Sequence, residues 1–229
     1  NRRRIGYMPE ERGLYGKESL LSQLVFLGTL HGMDKPAAKR AGTELLEQLG
    51  LGERMDDKLD DLSLGNQQRV QLAASLIHDP DMLILDEPFS GLDPVAVNVM
   101  SEMLRERANR GVPVIFSSHQ LDLVQRLCDR VGIVTKGHMV AEGGVDKLRS
   151  QGPPRFEVVT PARGWYPEGT ELVAETADAV VLQADPAVDD QTILQSALAA
   201  GPVHSFGRKI PDLTELFQDV VTSNQNEEA

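Results

Sequence analysis

The stretch "MLILDEP", residues 82–88, decides the fold. Four apolar residues run directly into two adjacent carboxylates, Asp86 and Glu87, and Pro88 ends the run. A short continuous apolar run bounded this way reads as a strand covered on both faces, the pattern of a parallel sheet in an α/β protein. The two acids at its end need a reason. Burying an ionised carboxylate is costly unless a cation or a set of donors meets it. Either the acids lie at an exposed strand end, or something positive is meant to sit beside them.

Working outward, residues 1–150 alternate helical patterns with short β-branched runs, which indicates an α/β sheet with parallel strands. "RIGYM" (4–8), "MLILD" (82–86) and "VPVIFSS" (112–118) read as strands. "KESLLSQLVFLGTLHG" (17–32) has apolar residues at helical spacing. "DKPAAKRAGTELLEQLG" (34–50) opens with Asp34 as N-cap and Pro36 in the first turn, and ends at Gly50. "GNQQRVQLAASLIHDP" (65–80) is a third helix, stopped by Pro80. "DPVAVNVMSEMLRERANRG" (93–111) has Asp93 at the N-cap, Pro94 at the first helical position and Gly111 past the end. "QLDLVQRLCDR" (120–130) is helical, "VGIVTKGHMVAEG" (131–143) reads as a hairpin, and a short helix runs to Ser150.

Residues 151–155, with Pro153 and Pro154 paired, read as a linker, because paired prolines cannot continue a helix. Residues 156–222 have the character of a small α+β domain. Strand-like "RFEVVT", "ELVAE" and "AVVLQA" are followed by helical "VDDQTILQSALAAG", a strand near "VHSF" and the helix "PDLTELFQDVV". The polar residues 223–229 read as a disordered tail.

The formal charge of −12 argues against a nucleic-acid surface, which needs clustered Lys and Arg. The run Arg2, Arg3, Arg4 is too short to reverse this and reads as a solvated strand edge. With aromatics at 4%, aliphatic residues must form most of the core. The single cysteine, Cys128, has no intramolecular partner; it reads as a small apolar residue on a helix in a reducing, cytoplasmic setting. No apolar stretch approaches the ~18 residues needed to cross a bilayer. The chain opens on Asn1, not Met, and enters a strand almost at once, so the natural protein is expected to start earlier.

Two neighbouring stretches change the meaning of the acid pair. Upstream, "LSLGNQQ" (62–68) places Ser63 and Gly65 at a helix start. Free backbone N–H groups there, with the helix dipole behind them, form an anion site; the alternative is an ordinary cap by Ser63. Downstream come "SGLDP" (90–94) and "SSH" (117–119), with His119 at the end of the next apolar strand. In open α/β sheets ligands bind beyond the carboxyl ends of the strands, so Asp86, Glu87 and His119 are expected to converge.

Together, "LSLGNQQRVQLAASLIHDPDMLILDEPFSGLDP" (62–94) and "VIFSSH" (114–119) resemble the nucleotide-binding domain of ABC ATPases. The signature loop, Walker B strand, D-loop and H-loop occur in that family's order. "IGYMPEERGLY" (5–15) resembles the Q-loop region, with Glu10 where most members carry Gln. The resemblance implies a partial P-loop NTPase-like parallel sheet with a helical signature subdomain, followed by the small α+β C-terminal domain. It implies ATP and Mg²⁺ as cofactors. Asp86 would hold Mg²⁺ mostly through water, and Glu10 could also ligate it. Glu87 would orient and polarise the attacking water, and His119 would contact the γ-phosphate and that water. Ser63 and Gly65, with Asn66 and Gln67 in the same loop, would meet the γ-phosphate of an ATP held mainly by a second subunit. Asp93 would organise the contact between subunits.

The residues also limit the resemblance. No Gly-x-x-x-x-Gly-Lys-[Ser/Thr] occurs in the 229 residues; the nearest Gly-Lys, Gly16-Lys17, is followed by Glu18. Without that loop there is no cradle of N–H groups for the phosphates. Either the chain lacks its N-terminal part or it is a degenerate subunit, and by itself it is expected to be inactive. "PEERGLY" with "GNQQ" resembles two branches, export-type ATPases that drive ABC-2 membrane subunits and tandem monosaccharide importers. "KIPDLTELFQDVV" (209–221) resembles the small domain that ends many export ATPases. The leading expectation is therefore the ATP-hydrolysing subunit of an exporter. It would work as a homodimer or paired ATP-binding subunit, on the cytoplasmic face of the cell membrane through an integral membrane permease. A soluble or tandem ABC ATPase, such as a translation factor, and a non-catalytic regulatory partner are the alternatives.

Overall fold

The computed structural model describes residues 4–11, 13–150 and 152–218. The chain divides into two compact units, Asn1–Gln120 and Leu121–Ala229.

The first unit is built on three short strands, β1 (Ile5–Met8), β2 (Met82–Leu85) and β3 (Val114–Phe116), in the order β1-β2-β3 and all parallel. Parallel neighbours need crossovers, and helices supply them. Between β1 and β2 run α1 (Leu20–Leu30), α2 (Lys35–Gln48) and α3 (Leu64–Leu76); between β2 and β3 runs α4 (Pro94–Asn109). Each of these helices starts on a polar cap. Ser19 accepts from Ser22 N, Asp34 from Ala37 N, Ser63 from Asn66 N and Asp93 from Ala96 N. Such caps satisfy amides that the helix itself leaves unpaired. The third helix begins at Leu64, one residue before the sequence pattern places it, because Ser63 takes the capping position.

One face of the sheet is buried. Met8, Leu83 and Leu85 are fully enclosed, with α3 packed on β1 and α4 on β3. The fit leaves no room at Gly6, where an added Cβ would lie 2.3 Å from the Ser75 carbonyl oxygen. On the opposite face, the register aligns Tyr7, Ile84 and Ile115 in one row. Tyr7 is 60% and Ile115 55% exposed, although parallel sheets are normally covered on both faces.

The second unit starts with α5 (Leu121–Leu127), the hairpin β4 (Arg130–Thr135) and β5 (His138–Gly144), and α6 (Val145–Arg149). Lys136 and Gly137 both adopt positive φ at the hairpin turn, as a two-residue turn matched to strand twist requires. A four-stranded antiparallel sheet follows, ordered β7-β8-β6-β9. Its strands are β6 (Arg155–Val159), β7 (Thr170–Glu175), β8 (Ala179–Ala184) and β9 (Ser205–Lys209). The helix α7 (Asp190–Ala200) packs on β6, and Phe156, Val158, Val180, Leu182, Ile193 and Ala197 form the core. A last helix, α8, covers 213–218. The strand expected near "VHSF" begins two residues later than that reading and continues to Lys209, because it pairs with β6 over its whole length.

The two compact units divide at Gln120/Leu121, upstream of the proline-rich 151–155. Residues 121–150 are tied to the end of the chain within the second unit. Gln125 Oε1 accepts from Leu213 N at 2.9 Å, and Arg149 Nε donates to Pro211 O at 2.8 Å. Arg4, at the start of β1, is exposed and pairs with Asp81. Arg2 and Arg3, linker residue 151, the end of the closing helix at 219–221 and the tail at 223–229 lie outside the described residues. Burial, with Asp129 nearby, pushes the Cys128 thiol up to about 11, which keeps it protonated and unreactive at neutral pH.

Candidate functional site

The register of the parallel sheet assembles the site. Met8 pairs with Leu85, and Leu85 with Phe116, so all three strands end in one row. Asp86 N donates to Met8 O at 2.8 Å and Ser117 N to Leu85 O at 3.0 Å. Pro9 and Glu10, Asp86 and Glu87, and Ser117, Ser118 and His119 therefore leave the sheet along the same edge.

The two acids are held differently. Ser117 sits between them: its hydroxyl donates to Asp86 Oδ1 and accepts from Glu87 N at 3.0 Å. Glu87 has φ +46, a left-handed backbone that a non-glycine residue adopts only when its surroundings enforce it. Here they do. Its N–H is bonded to Ser117, and its carbonyl accepts from Gln68 Nε2 at 3.0 Å and from Ser90 N at 3.1 Å. The Glu87 side chain is only 12% exposed and its Oε1 lies 3.5 Å from Nε2 of His119, which is 97% exposed. A mostly buried carboxylate, carried on a backbone held by Ser117, Gln68 and Ser90, thus lies beside a solvent-facing imidazole.

The helix α3 supplies the clamps. Gln68 and Gln71 are both buried and lie one turn apart. Gln68 holds the loop after β2, and Gln71 Nε2 donates to Pro9 O in the loop after β1. Sequence alone assigns no role to Ser117, Gln68 or Gln71. The signal for the glutamines is their i, i+3 spacing on the same stripe as Leu72 and Leu76. For Ser117 it is only adjacency to the strand end.

The signature-loop residues form a second cluster. Ser63 is exposed and its hydroxyl accepts from Asn66 N at 3.4 Å, so it does cap the helix. Gly65 faces the loop after β2: an added Cβ would lie 3.4 Å from Leu92 Cδ2 and 3.6 Å from Gly91 O, ordinary van der Waals contact. Nothing among the described residues therefore requires glycine there. Gln67 turns its amide back onto Leu59 O and Leu62 O, each at 3.0 Å. Asp93 is exposed and caps α4, accepting from Ala96 N at 2.8 Å. Glu10 is exposed two residues past β1. Among the described residues, no hydrogen bond or ion pair joins the side chains of Ser63, Asn66 or Glu10 to Asp86 or Glu87.

Among the described residues, no group of three or more His, Cys, Asp or Glu is placed to hold a metal. One carboxylate completed by substrate oxygens and water is the usual Mg²⁺ arrangement. The donors here fit a cation brought with a phosphate ligand. No helix among the described residues is long and apolar enough to cross a membrane.

Comparison with known proteins identifies the family. The family model described as ABC transporter matches residues 1–90. The uncharacterized ABC transporter ATP-binding protein YhaQ of Bacillus subtilis is 38% identical over 223 residues, covering 95% of this chain and 74% of that protein. The Nod factor export ATP-binding protein I of Burkholderia orbicola is 32% identical over 195 residues, covering 81% and 64%. A solved structure titled "Structure of ATP binding subunit of ABC transporter" superposes with a TM-score of 0.60 at 31% identity, covering 66% of this chain and 62% of that one. A parallel sheet whose strand ends carry this acid pair and histidine, with a capped signature helix, is a nucleotide-binding domain of the P-loop NTPase-like α/β class. The chain belongs to the family of ABC transporter ATP-binding proteins.

Proposed function

We propose that these residues form the hydrolytic edge of a shared ATP site in an exporter. In this reading Glu87 orients and polarises the attacking water, His119 contacts the γ-phosphate and that water, and Asp86 faces the Mg²⁺ that accompanies the nucleotide. Such a division suits phosphoryl transfer, where the protein contributes mainly positioning and charge stabilisation. The observation that carries it is the over-determined, left-handed Glu87, fixed by Ser117 and Gln68 with its carboxylate beside His119. A side chain that served only as a charged strand end would need no such clamp.

Ser63, Gly65, Asn66 and Gln67 meet the γ-phosphate of ATP held by a second subunit, and Asp93 organises the contact with it. The spare room at Gly65 supports this, since none of the described residues needs the side chain to be missing. Glu10 stands at the same edge and adds negative charge, so it acts through the Mg²⁺ that offsets phosphate repulsion. The partners are a second ATP-binding subunit and a membrane permease, which places the protein on the cytoplasmic face of the membrane. Export as the direction of transport is supported by the printed name of the Nod factor export relative.

The phosphate cradle is not among these 229 residues, so ATP turnover requires one from additional sequence. The uncovered row Tyr7–Ile84–Ile115 supports this reading, because a further layer would bury it. Two measurements test the proposal. Residues 1–229 alone are expected to show negligible ATPase activity, and robust turnover abolished by Glu87→Gln would overturn that. In a protein that also carries the phosphate loop, Glu87→Gln is expected to cut kcat at least about 10²-fold, the usual contribution of a positioned base. ATP-dependent dimers should persist. Normal hydrolysis in that variant would remove Glu87 from its role.

A further inference from the structure

The second unit holds a cavity of about 750 Å³, within the range of small-molecule sites. It lies where the end of α6 and the residues after it meet the starts of β6 and α8 and the end of β9. Among the described residues, four cations line it, Arg149, Arg155, Arg208 and Lys209, and no carboxylate does. The chain as a whole has 35 acids against 23 Lys and Arg. The local sign is opposite to the global one, and a concave wall of one sign concentrates ligands of the other.

The cations differ in how they are held. Arg149 is only 20% exposed; its Nε is fixed on Pro211 O, and the nearest acid to its Nη1 is Asp146 at 3.9 Å. Arg155 is partly buried and its Nε meets Gln183 Oε1 at 3.5 Å. Lys209 pairs with Glu215 at 3.0 Å. Arg208 is exposed, and its side chain makes no ion pair or hydrogen bond among the described residues. The remaining wall is apolar, with Pro153 and Pro154 on one side and Ile210 and Leu216 on the other.

We propose that this cavity binds an organic phosphate. Its phosphate group lies among Arg149, Arg155, Arg208 and Lys209, and its apolar body lies against Pro153, Pro154 and Leu216. One guanidinium already satisfies a carboxylate bidentately, whereas several cations around one pocket match a dianion with three acceptor oxygens. The site belongs to the second unit and does not depend on the nucleotide reading of the first.

The test uses the 229-residue chain and titration calorimetry with phenyl phosphate, inorganic phosphate and benzoate as probes. Phenyl phosphate is expected to bind with 1:1 saturation, more tightly than either of the others. Arg208→Ala should weaken it about tenfold, as expected for loss of one charge-assisted contact. Because Arg208 is exposed, that variant should fold normally, which circular dichroism checks. Arg149→Lys, which keeps the charge but loses the guanidinium fork, should also weaken binding. Absence of saturable binding by the folded chain overturns the proposal. So does affinity unchanged in Arg208→Ala, or benzoate binding as tightly as phenyl phosphate. Vesicles of phosphatidylglycerol and of phosphatidylcholine separate the sources. Capture by the former alone, displaced by phenyl phosphate, identifies a lipid headgroup as the phosphate, and no capture identifies a free metabolite.

Discussion

At the scale of the residue, Glu87 and Ser117 form one device. The acid pair at 86–87 is legible in the sequence, and so is the histidine that ends the next strand. The serine that sorts the two acids is not, because its role depends on pairing between β2 and β3. Ser117 donates to Asp86 and accepts from the Glu87 amide, so one hydroxyl fixes a side chain and a strained backbone together. Ser117→Ala removes both contacts and leaves a left-handed Glu87 with one fewer restraint. The expected result is a fall in kcat of the phosphate-loop-bearing protein by roughly tenfold, with global stability lowered by about 1–3 kcal/mol, the usual range for two hydrogen bonds. Paired steady-state kinetics and urea titration check it. A stability loss with unchanged kcat would make Ser117 merely structural.

At the scale of the element, the helix α3 connects the signature loop to the strand ends. Its start, its cap and its termination before Pro80 follow from local chemistry and are readable in "SLGNQQ" and "DP". Its function as a clamp is not, because the carbonyls that Gln68 and Gln71 meet belong to loops far away in sequence. Its other end carries His78, which stacks on His31 from the end of α1, with ring centroids 3.7 Å apart and planes 13° from parallel. Burial, reinforced by His31, lowers the pKa of His78 below its ordinary value of 6.5, while the Ile5 backbone and Asp79 partly oppose this. Asp79 is itself paired with Arg107 of α4. The sign follows from linkage. Below pH 6.5 the unfolded chain binds a proton that the native chain accepts only at lower pH, so stability falls as pH drops through that window. The slope is bounded by about 1.4 kcal/mol per pH unit for one site. Urea midpoints at pH 7.5 and 5.5 should show the loss, and His78→Gln should reduce it.

At the scale of the whole molecule, the division into two units depends on contacts that local signals do not report. Pro153 and Pro154 break the chain visibly, so the sequence reading divides it at 151–155, yet the compact unit begins at Leu121. Proline reports only that a helix cannot continue; it carries no information on which segments pack together. That depends on Gln125 accepting from Leu213 N and on Arg149 donating to Pro211 O, contacts spanning 88 and 62 residues that no local pattern encodes. The packed core of Phe156, Val158, Leu182 and Ile193 belongs to the sheet and α7, whereas Leu213 of α8 is buried with its N–H bonded to Gln125. A protein of residues 121–229 should therefore fold cooperatively on its own, whereas residues 152–229 should lose the support for Leu213 and melt at lower temperature. Losing two long-range hydrogen bonds and a buried leucine's surroundings is worth about 3–5 kcal/mol, a shift of more than ten degrees in a domain of this size. Calorimetry on the two fragments decides it. Equal melting temperatures would mean that residues 121–150 only lie beside the α+β fold, and that the division at 151–155 is the energetic one.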